Sequence, residues 1–241
     1  MTATFNGHWS VQSSTTIHSE IRYALKTDKA NAMAHVALLG DSILDNGAYV
    51  AGGSPIVEQL RSRLPRDWRT TLLARDGAVA IGVLSQLKQL PSDTSHLVFS
   101  AGGNDALECI PILHSPASTP SAMLDELAES QDSFRNNYQQ MVRAICKTGL
   151  SAIGCTIYDA VPGLQPTERM ALSLFNDIII RTLLAAHVSV LDLRAVCNEP
   201  KDYSSASPIE PSEIGGSKIA RALQYVLSGH DFSRNETVLY P

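Results

Sequence analysis

The sequence predicts an α/β fold of three layers, α/β/α, with a five-stranded, mainly parallel sheet between two layers of helices. Two observations carry this. Five short and nearly continuous apolar runs have the length and composition of strands covered on both faces. Longer stretches with apolar residues at helical spacing lie between them, so strand and helix alternate along the chain. Right-handed crossovers then leave few topologies.

The elements follow in order. His35–Gly40, HVALLG, is the first strand. Ile56–Leu64 is a short helix that stops before Pro65. Thr70–Ala74 is the second strand, and Val79–Leu90 a helix that stops before Pro91. His96–Ala101 is the third strand. Ala122–Lys147 has apolar residues at Leu124, Leu127, Phe134, Tyr138, Met141, Val142 and Ile145, largely at helical spacing. Its polar middle leaves room for a break, and Gly149 follows as a stop. Ser151–Ile157 is the fourth strand. Thr167–Ala186 is a helix with Pro166 just before it. Val188–Leu193 is the fifth strand. Ser212–Ser228 is the last helix, with Glu213 in its first turn and Gly229 after it. Cys109–Ser121 and Asn198–Pro211 are rich in Pro and Ser and read as long loops. Both follow strands, which places them at the carboxyl edge of the sheet, where open α/β folds bind ligands.

Composition narrows the function classes. The chain has 241 residues, 44% of them hydrophobic, enough for one sizeable core. A net charge of -5 and no Lys/Arg stripe argue against nucleic acid as a partner. Cys109, Cys146, Cys155 and Cys197 lack ligand-like spacing and read as buried free thiols. No segment has the run of roughly 20 apolar residues that a membrane helix needs, and the N-terminus has no apolar core behind a basic start. The expectation is a cytoplasmic protein with no membrane partner. Residues 1–33 read as an N-terminal arm or short helix, with helical turns at Ile17–Leu25. Residues 34–230 form the domain, and 231–241 a C-terminal tail. Trp9 would either anchor the arm or meet a second copy in a homodimer.

Three segments carry chemistry. Gly40-Asp41-Ser42 ends the first strand. Ser100–Leu107, SAGGNDAL, follows the third. Pro208–Ala220, PIEPSEIGGSKIA, leads into the last helix. Taken singly, Ser42 reads as a helix cap and Asn104-Asp105 as a turn. In this order at strand ends, from about His35 to Leu227, they resemble the SGNH hydrolase family, the GDSL esterases and lipases. The resemblance implies a flavodoxin-like SGNH hydrolase fold, a serine nucleophile at Ser42 and a small-molecule ester or acyl substrate. The residues agree with it. Ser42 sits where a strand turns into a loop, with its own N–H near a developing oxyanion, and Asn104 offers a side-chain amide. A further N–H would come from the loop ARDGAVAIG, at Gly77 or at Ala80. No phosphate loop, dinucleotide fingerprint or zinc spacing is present, so no cofactor is expected. Asp41 and Asp45 alone do not complete a metal site.

The sequence departs from the family at its end. Where the family has Asp-x-x-His, this chain has Ser207-Pro208-Ile209-Glu210. Three explanations stand. Glu210 itself is the base, its ordinary pKa near 4.3 raised by burial, as serine-carboxyl peptidases also pair serine with glutamate. Asp41, Asp202 or Glu213 would then support it. Alternatively a distant histidine is the base, with His114 the best placed and His35, His96, His187 and His230 expected away from the carboxyl edge. Or the cleft has lost ester hydrolysis and binds an acyl or glycan ligand. The first is favoured: a serine-dependent ester or thioester hydrolase or acyl-transfer enzyme with Ser42 as nucleophile and Glu210 as base.

Overall fold

In the computed structural model, residues 33–116, 119–234 and 236–241 are described. The arm up to residue 32, with Trp9 and the turns at Ile17–Leu25, lies outside the described residues.

The strands are β1 (His35–Gly40), β2 (Arg69–Leu72), β3 (His96–Ser100), β4 (Ser151–Cys155), β5 (Ser189–Leu191) and β6 (Leu239–Tyr240). They form one sheet in the order β2-β1-β3-β4-β5-β6, and every pair is parallel. β1 is buried along its whole length, as its unbroken apolar run requires. The sixth strand lies in residues 231–241, read from sequence as a tail. Its two residues are too short for periodicity to reveal, and Tyr240 anchors it through a 2.9 Å hydrogen bond with His230.

The helices are α1 (Ile56–Arg63), α2 (Val83–Leu87), α3 (Gly103–Leu107), α4 (Ile110–His114), α5 (Pro120–Lys147), α6 (Pro166–Ala185), α7 (Leu193–Val196) and α8 (Glu213–Gly229). α1 packs on α8, and α5 on α6. α5 runs unbroken through its polar middle. The Thr119 hydroxyl caps it, and Leu127, Phe134, Tyr138, Met141, Val142 and Ile145 keep one buried stripe. The stretch predicted as a helix over 79–90 is instead a 3-10 turn, Ala80–Gly82, followed by short α2. Within the predicted loop 109–121, α4 forms with Pro111 in its first turn. Cys109, Cys155 and Cys197 are buried free thiols, but Cys146 is exposed near the end of α5. Among the described residues no helix is long and apolar enough to cross a membrane.

The strand order reverses between β1 and β3, so a crevice opens beyond their carboxyl ends. The segments carrying Ser42 and Asn104 leave from these two strands. Gly40 makes the close approach possible. Its φ is +123°, and a Cβ there would fall 1.7 Å from the Ser100 carbonyl oxygen. The Gln86 side chain grips both Gly40 backbone groups, accepting from its N–H at 2.7 Å and donating to its carbonyl at 2.8 Å. Asp41 N–H then donates to Ser100 O at 3.0 Å. Gly40→Ala is expected to destabilise the protein by about 3 kcal/mol or more in urea unfolding, from strain and overpacking together. Wild-type stability in that variant would contradict the close approach.

Candidate active site

The first turn after β1 is helical: Leu44 and Asp45 N–H groups both donate to Asp41 O. The Asp41 carboxylate accepts the Ile43 N–H at 3.1 Å, which fixes the turn from inside. Ser42 is thereby held at the base of a cleft, nearly buried, its side chain facing Glu210. The cleft occupies about 700 Å³ including its open mouth. Asp41, Ser42, Asn104 and Glu210 all lie on its wall.

Backbone contacts position Glu210. Ser207-Pro208-Ile209-Glu210 is a turn closed by Glu210 N–H donating to Ser207 O at 3.0 Å, with Pro208 at its second position. Ser204 N–H donates to Glu210 O at 2.8 Å, and Tyr203 bridges Pro211 antiparallel. The Tyr158 hydroxyl donates to Ile209 O at 2.6 Å. Two contacts reach across to the serine segment: Ser204 Oγ donates to Tyr49 O at 2.6 Å, and Asn46 Nδ2 to Pro211 O at 3.3 Å. The segments of Ser42 and Glu210 are therefore tied directly to each other.

The electrostatics follow from this burial. Glu210 is 4% exposed. Loss of hydration pushes its carboxyl up to about 7; a hydrogen bond from the Ser42 hydroxyl to the charged form pulls the other way, and the Asp76 carboxylate adds a further rise. Asp41 is pushed up to about 8, first by burial, against the Ile43 N–H, and further by the Glu210 and Asp105 carboxylates. Both carboxyls on this wall therefore hold their protons to higher pH than an ordinary carboxyl does. A carboxylate near 7 in contact with a hydroxyl has the basicity normally supplied by imidazole.

Asn104 stands in the first turn of α3, its Nδ2 donating to Ala78 O at 2.9 Å. That bond joins it to the loop after β2. In this loop Ala78 N–H donates to Arg75 O, and Gly77 has φ +75°. The Ala80 N–H is already spent on Asp105 Oδ2 at 2.9 Å, whereas among the described residues the Gly77 and Ser42 N–H groups have no acceptor. Of the two alternatives, Gly77 is the one with a free donor. It stands outside the cleft wall, tethered through its neighbour Asp76, whose N–H donates to Asp45 Oδ2 at 3.0 Å and whose carboxylate accepts from the Tyr49 hydroxyl at 2.6 Å.

The other predicted residues lie elsewhere. Asp202 is not brought to Glu210: its carboxylate meets Lys218 Nζ at 2.8 Å and accepts the Glu199 N–H at 3.0 Å. Its role at this end is through the backbone, where Asp202 O accepts the Ser212 N–H at 2.8 Å. Glu213 accepts the Ser54 N–H instead. His114 pairs with Glu168 at 3.1 Å and does not reach Ser42. His35 joins Asp93 and Thr71, His96 stacks on Trp68, and His230 joins Ser189 and Tyr240. Among the described residues no imidazole lines the cleft, and no group of three or more His, Cys, Asp or Glu side chains is placed to hold a metal ion. Sequence reading missed Asn46, Tyr158 and Ser204. Their work is done through backbone carbonyls, which leave no motif.

The folded state holds the Glu210 proton up to about 7, against 4.5 for an ordinary carboxyl. Between those values the unfolded chain loses its proton first, so this group lowers stability as pH rises, and the loss is complete above 7. Glu210→Gln is therefore expected to stabilise the protein at pH 9 by up to about 3 kcal/mol and to have no such benefit at pH 4. Thermal unfolding at both pH values checks the sign.

Residues 38–215 match the family described as GDSL-like Lipase/Acylhydrolase. No curated protein matches the chain. Among solved structures, the lipase Lip_vut3 from a goat rumen metagenome is similar at 19% identity and a TM-score of 0.66, over 84% of this chain and 100% of that one. An extracellular lipase from Streptomyces rimosus is similar at 19% identity and 0.57, over 77% and 95%. The acetyl xylan esterase AlAXEase is similar at 15% identity and 0.58, over 81% and 100%. At these identities the likeness shows the shared fold.

Proposed function

The chain belongs to the GDSL-like lipase/acylhydrolase family, and from that premise we propose that it is a serine-dependent carboxylic ester or thioester hydrolase in which Glu210 replaces the family's histidine. The observation that carries this is a buried carboxylate, raised to about 7, facing Ser42 on the same cleft wall as Asn104.

In this mechanism Ser42 Oγ attacks the substrate carbonyl carbon while its proton passes to Glu210. The carbonyl π electrons move to oxygen, and the oxyanion is held by Asn104 Nδ2 and the Ser42 N–H, the donors on the cleft wall. Asn104 exchanges its bond to Ala78 O for the oxyanion. Collapse of the intermediate breaks the bond to the leaving alkoxide or thiolate, which takes the proton back from Glu210. Water then attacks the acyl-enzyme, Glu210 accepts its proton, and the departing Ser42 oxygen recovers it, releasing the acid.

Glu210 carries one negative charge before attack and none after, while the oxyanion gains one. Charge moves across the site and is not separated into an ion pair, as it would be with imidazole. Such a site depends more heavily on its oxyanion donors. It also needs no aspartate behind the base, because no cation forms there. The turn 207–210, held by Ser204 and Tyr158, does the orienting instead.

With p-nitrophenyl esters, kcat/KM is expected to rise through about pH 7 and level off above it, following Glu210 ionisation. Ser42→Ala should abolish turnover and labelling by a fluorophosphonate. Glu210→Gln should lower kcat by about 10²–10⁴, and Asn104→Ala by about 10²–10³. Unchanged rates in Glu210→Gln would remove it from the mechanism. Absence of both labelling and turnover at every pH would point to a binding protein on this fold.

A further inference from the structure

Beyond the reacting atoms, the cleft runs between α4 and α6. Ile110 and Leu113 of α4 form one side, and Ala171 and Leu172 of α6 another, with Ile157 and Val161 from the segment after β4. Every polar side chain on this wall is either at the reacting end or already committed. Asp41, Ser42, Asn104 and Glu210 belong to the reacting end. The Tyr158 hydroxyl is spent on Ile209 O. Glu168 uses Oε2 to accept the Gln165 N–H at 2.9 Å and Oε1 to meet His114 Nε2 at 3.1 Å. Away from the reacting end a sugar ring would find no side-chain donor free and only the remaining lone pairs of Glu168 and Tyr158 as acceptors, and each buried hydroxyl without a partner costs binding. A hydrocarbon chain loses nothing on these walls and gains with each methylene.

The His114–Glu168 pair is placed to limit such a chain. His114 is the last residue of α4, the helix that supplies Ile110 and Leu113. Glu168 sits one turn before Ala171 and Leu172 on α6. The pair therefore joins the two walls. The Glu168 side chain is 16% exposed and His114 57%, so the join lies where the cleft meets solvent.

We propose that the cleft selects a linear apolar acyl chain and that the His114–Glu168 pair, by clasping α4 to α6, sets the longest chain accepted. The proposal rests on the ester-hydrolase reading for its kinetic readout and not for its binding readout. His114 becomes a specificity-determining residue, in place of the basic role that sequence alone left open to it.

The test is a series of p-nitrophenyl esters at pH 8: acetate, butanoate, octanoate, dodecanoate and hexadecanoate. Wild-type kcat/KM is expected to rise by about fourfold per methylene over the short members, then to fall for chains that overrun the clasp. His114→Ala should raise the ratio of dodecanoate to octanoate by about fourfold or more, the worth of one further buried methylene. His114→Gln, which can still donate to Glu168, should keep the wild-type cut-off. A loss of fold in His114→Ala would appear as a lowered melting temperature and reduced rates on all esters, without a change of ratio. Highest activity on acetate, or equal ratios in wild type and an alanine variant that keeps the wild-type melting temperature, or in wild type and His114→Leu should the alanine variant not fold, would overturn the proposal. Calorimetric titration of octanoate into Ser42→Ala separates the two claims. Binding without turnover in wild type would leave the chain site standing and remove the hydrolase. No binding of octanoate would remove the chain site, whatever the turnover of short esters.

Discussion

A carboxylate taken out of water loses hydration, and a hydroxyl placed against it recovers part of that loss. The Glu210–Ser42 contact is such a pair, and much of the surrounding structure serves to hold it. On one side Gly40 lets β1 close on β3, and the Gln86 amide fixes the strand end. On the other, the turn at 207–210 is bonded to Ser204 and Tyr158. Asn46 and Ser204 bridge the two sides. Without this bracing, Glu210 would relax toward solvent and return to an ordinary acidity. Burial that lowers stability near neutral pH is the same burial that gives the carboxylate its basicity, a trade between fold and function common at active sites.

The neighbouring Asp41 fits the same logic. Two ionised carboxylates on one buried wall would repel, and burial together with the Glu210 and Asp105 carboxylates raises Asp41. Its fixed bond is to the Ile43 N–H, so it shapes the turn that presents Ser42. Asp202, which the sequence offered as a supporting carboxylate, instead neutralises Lys218 beneath the segment and holds Ser212 through its backbone. The distinction is between a carboxylate that meets a cation and those that meet only a hydroxyl or an amide.

Much of the fold was legible because its signals are local. The apolar runs of β1 and β3 are buried strands, and α5 keeps its stripe for the whole of Pro120–Lys147. β6 was hidden because two residues have no period, and the 79–90 stretch broke because Ala80–Gly82 turns in toward Asp105. In the site, Ser42, Asn104 and Glu210 could be named from motifs at strand ends. Glu210's environment could not, because it comes from Tyr158, distant in sequence, and from Ser204, both of which act through backbone oxygens that leave no motif. That the Ala80 N–H is used by Asp105 while, among the described residues, the Gly77 N–H is not paired likewise could be seen only in the fold. His114 misled for the opposite reason: it follows the Asn104 segment closely in sequence, yet α4 carries it out to Glu168.

The most direct measurement is the titration of Glu210 itself, followed by ¹³C NMR of its side-chain carboxyl in the wild-type protein and in Ser42→Ala. The account requires a midpoint near 7, moved upward in Ser42→Ala because the hydroxyl that favours the charged form is gone. A midpoint near that of a solvated glutamate, or one indifferent to the loss of Ser42, would contradict it.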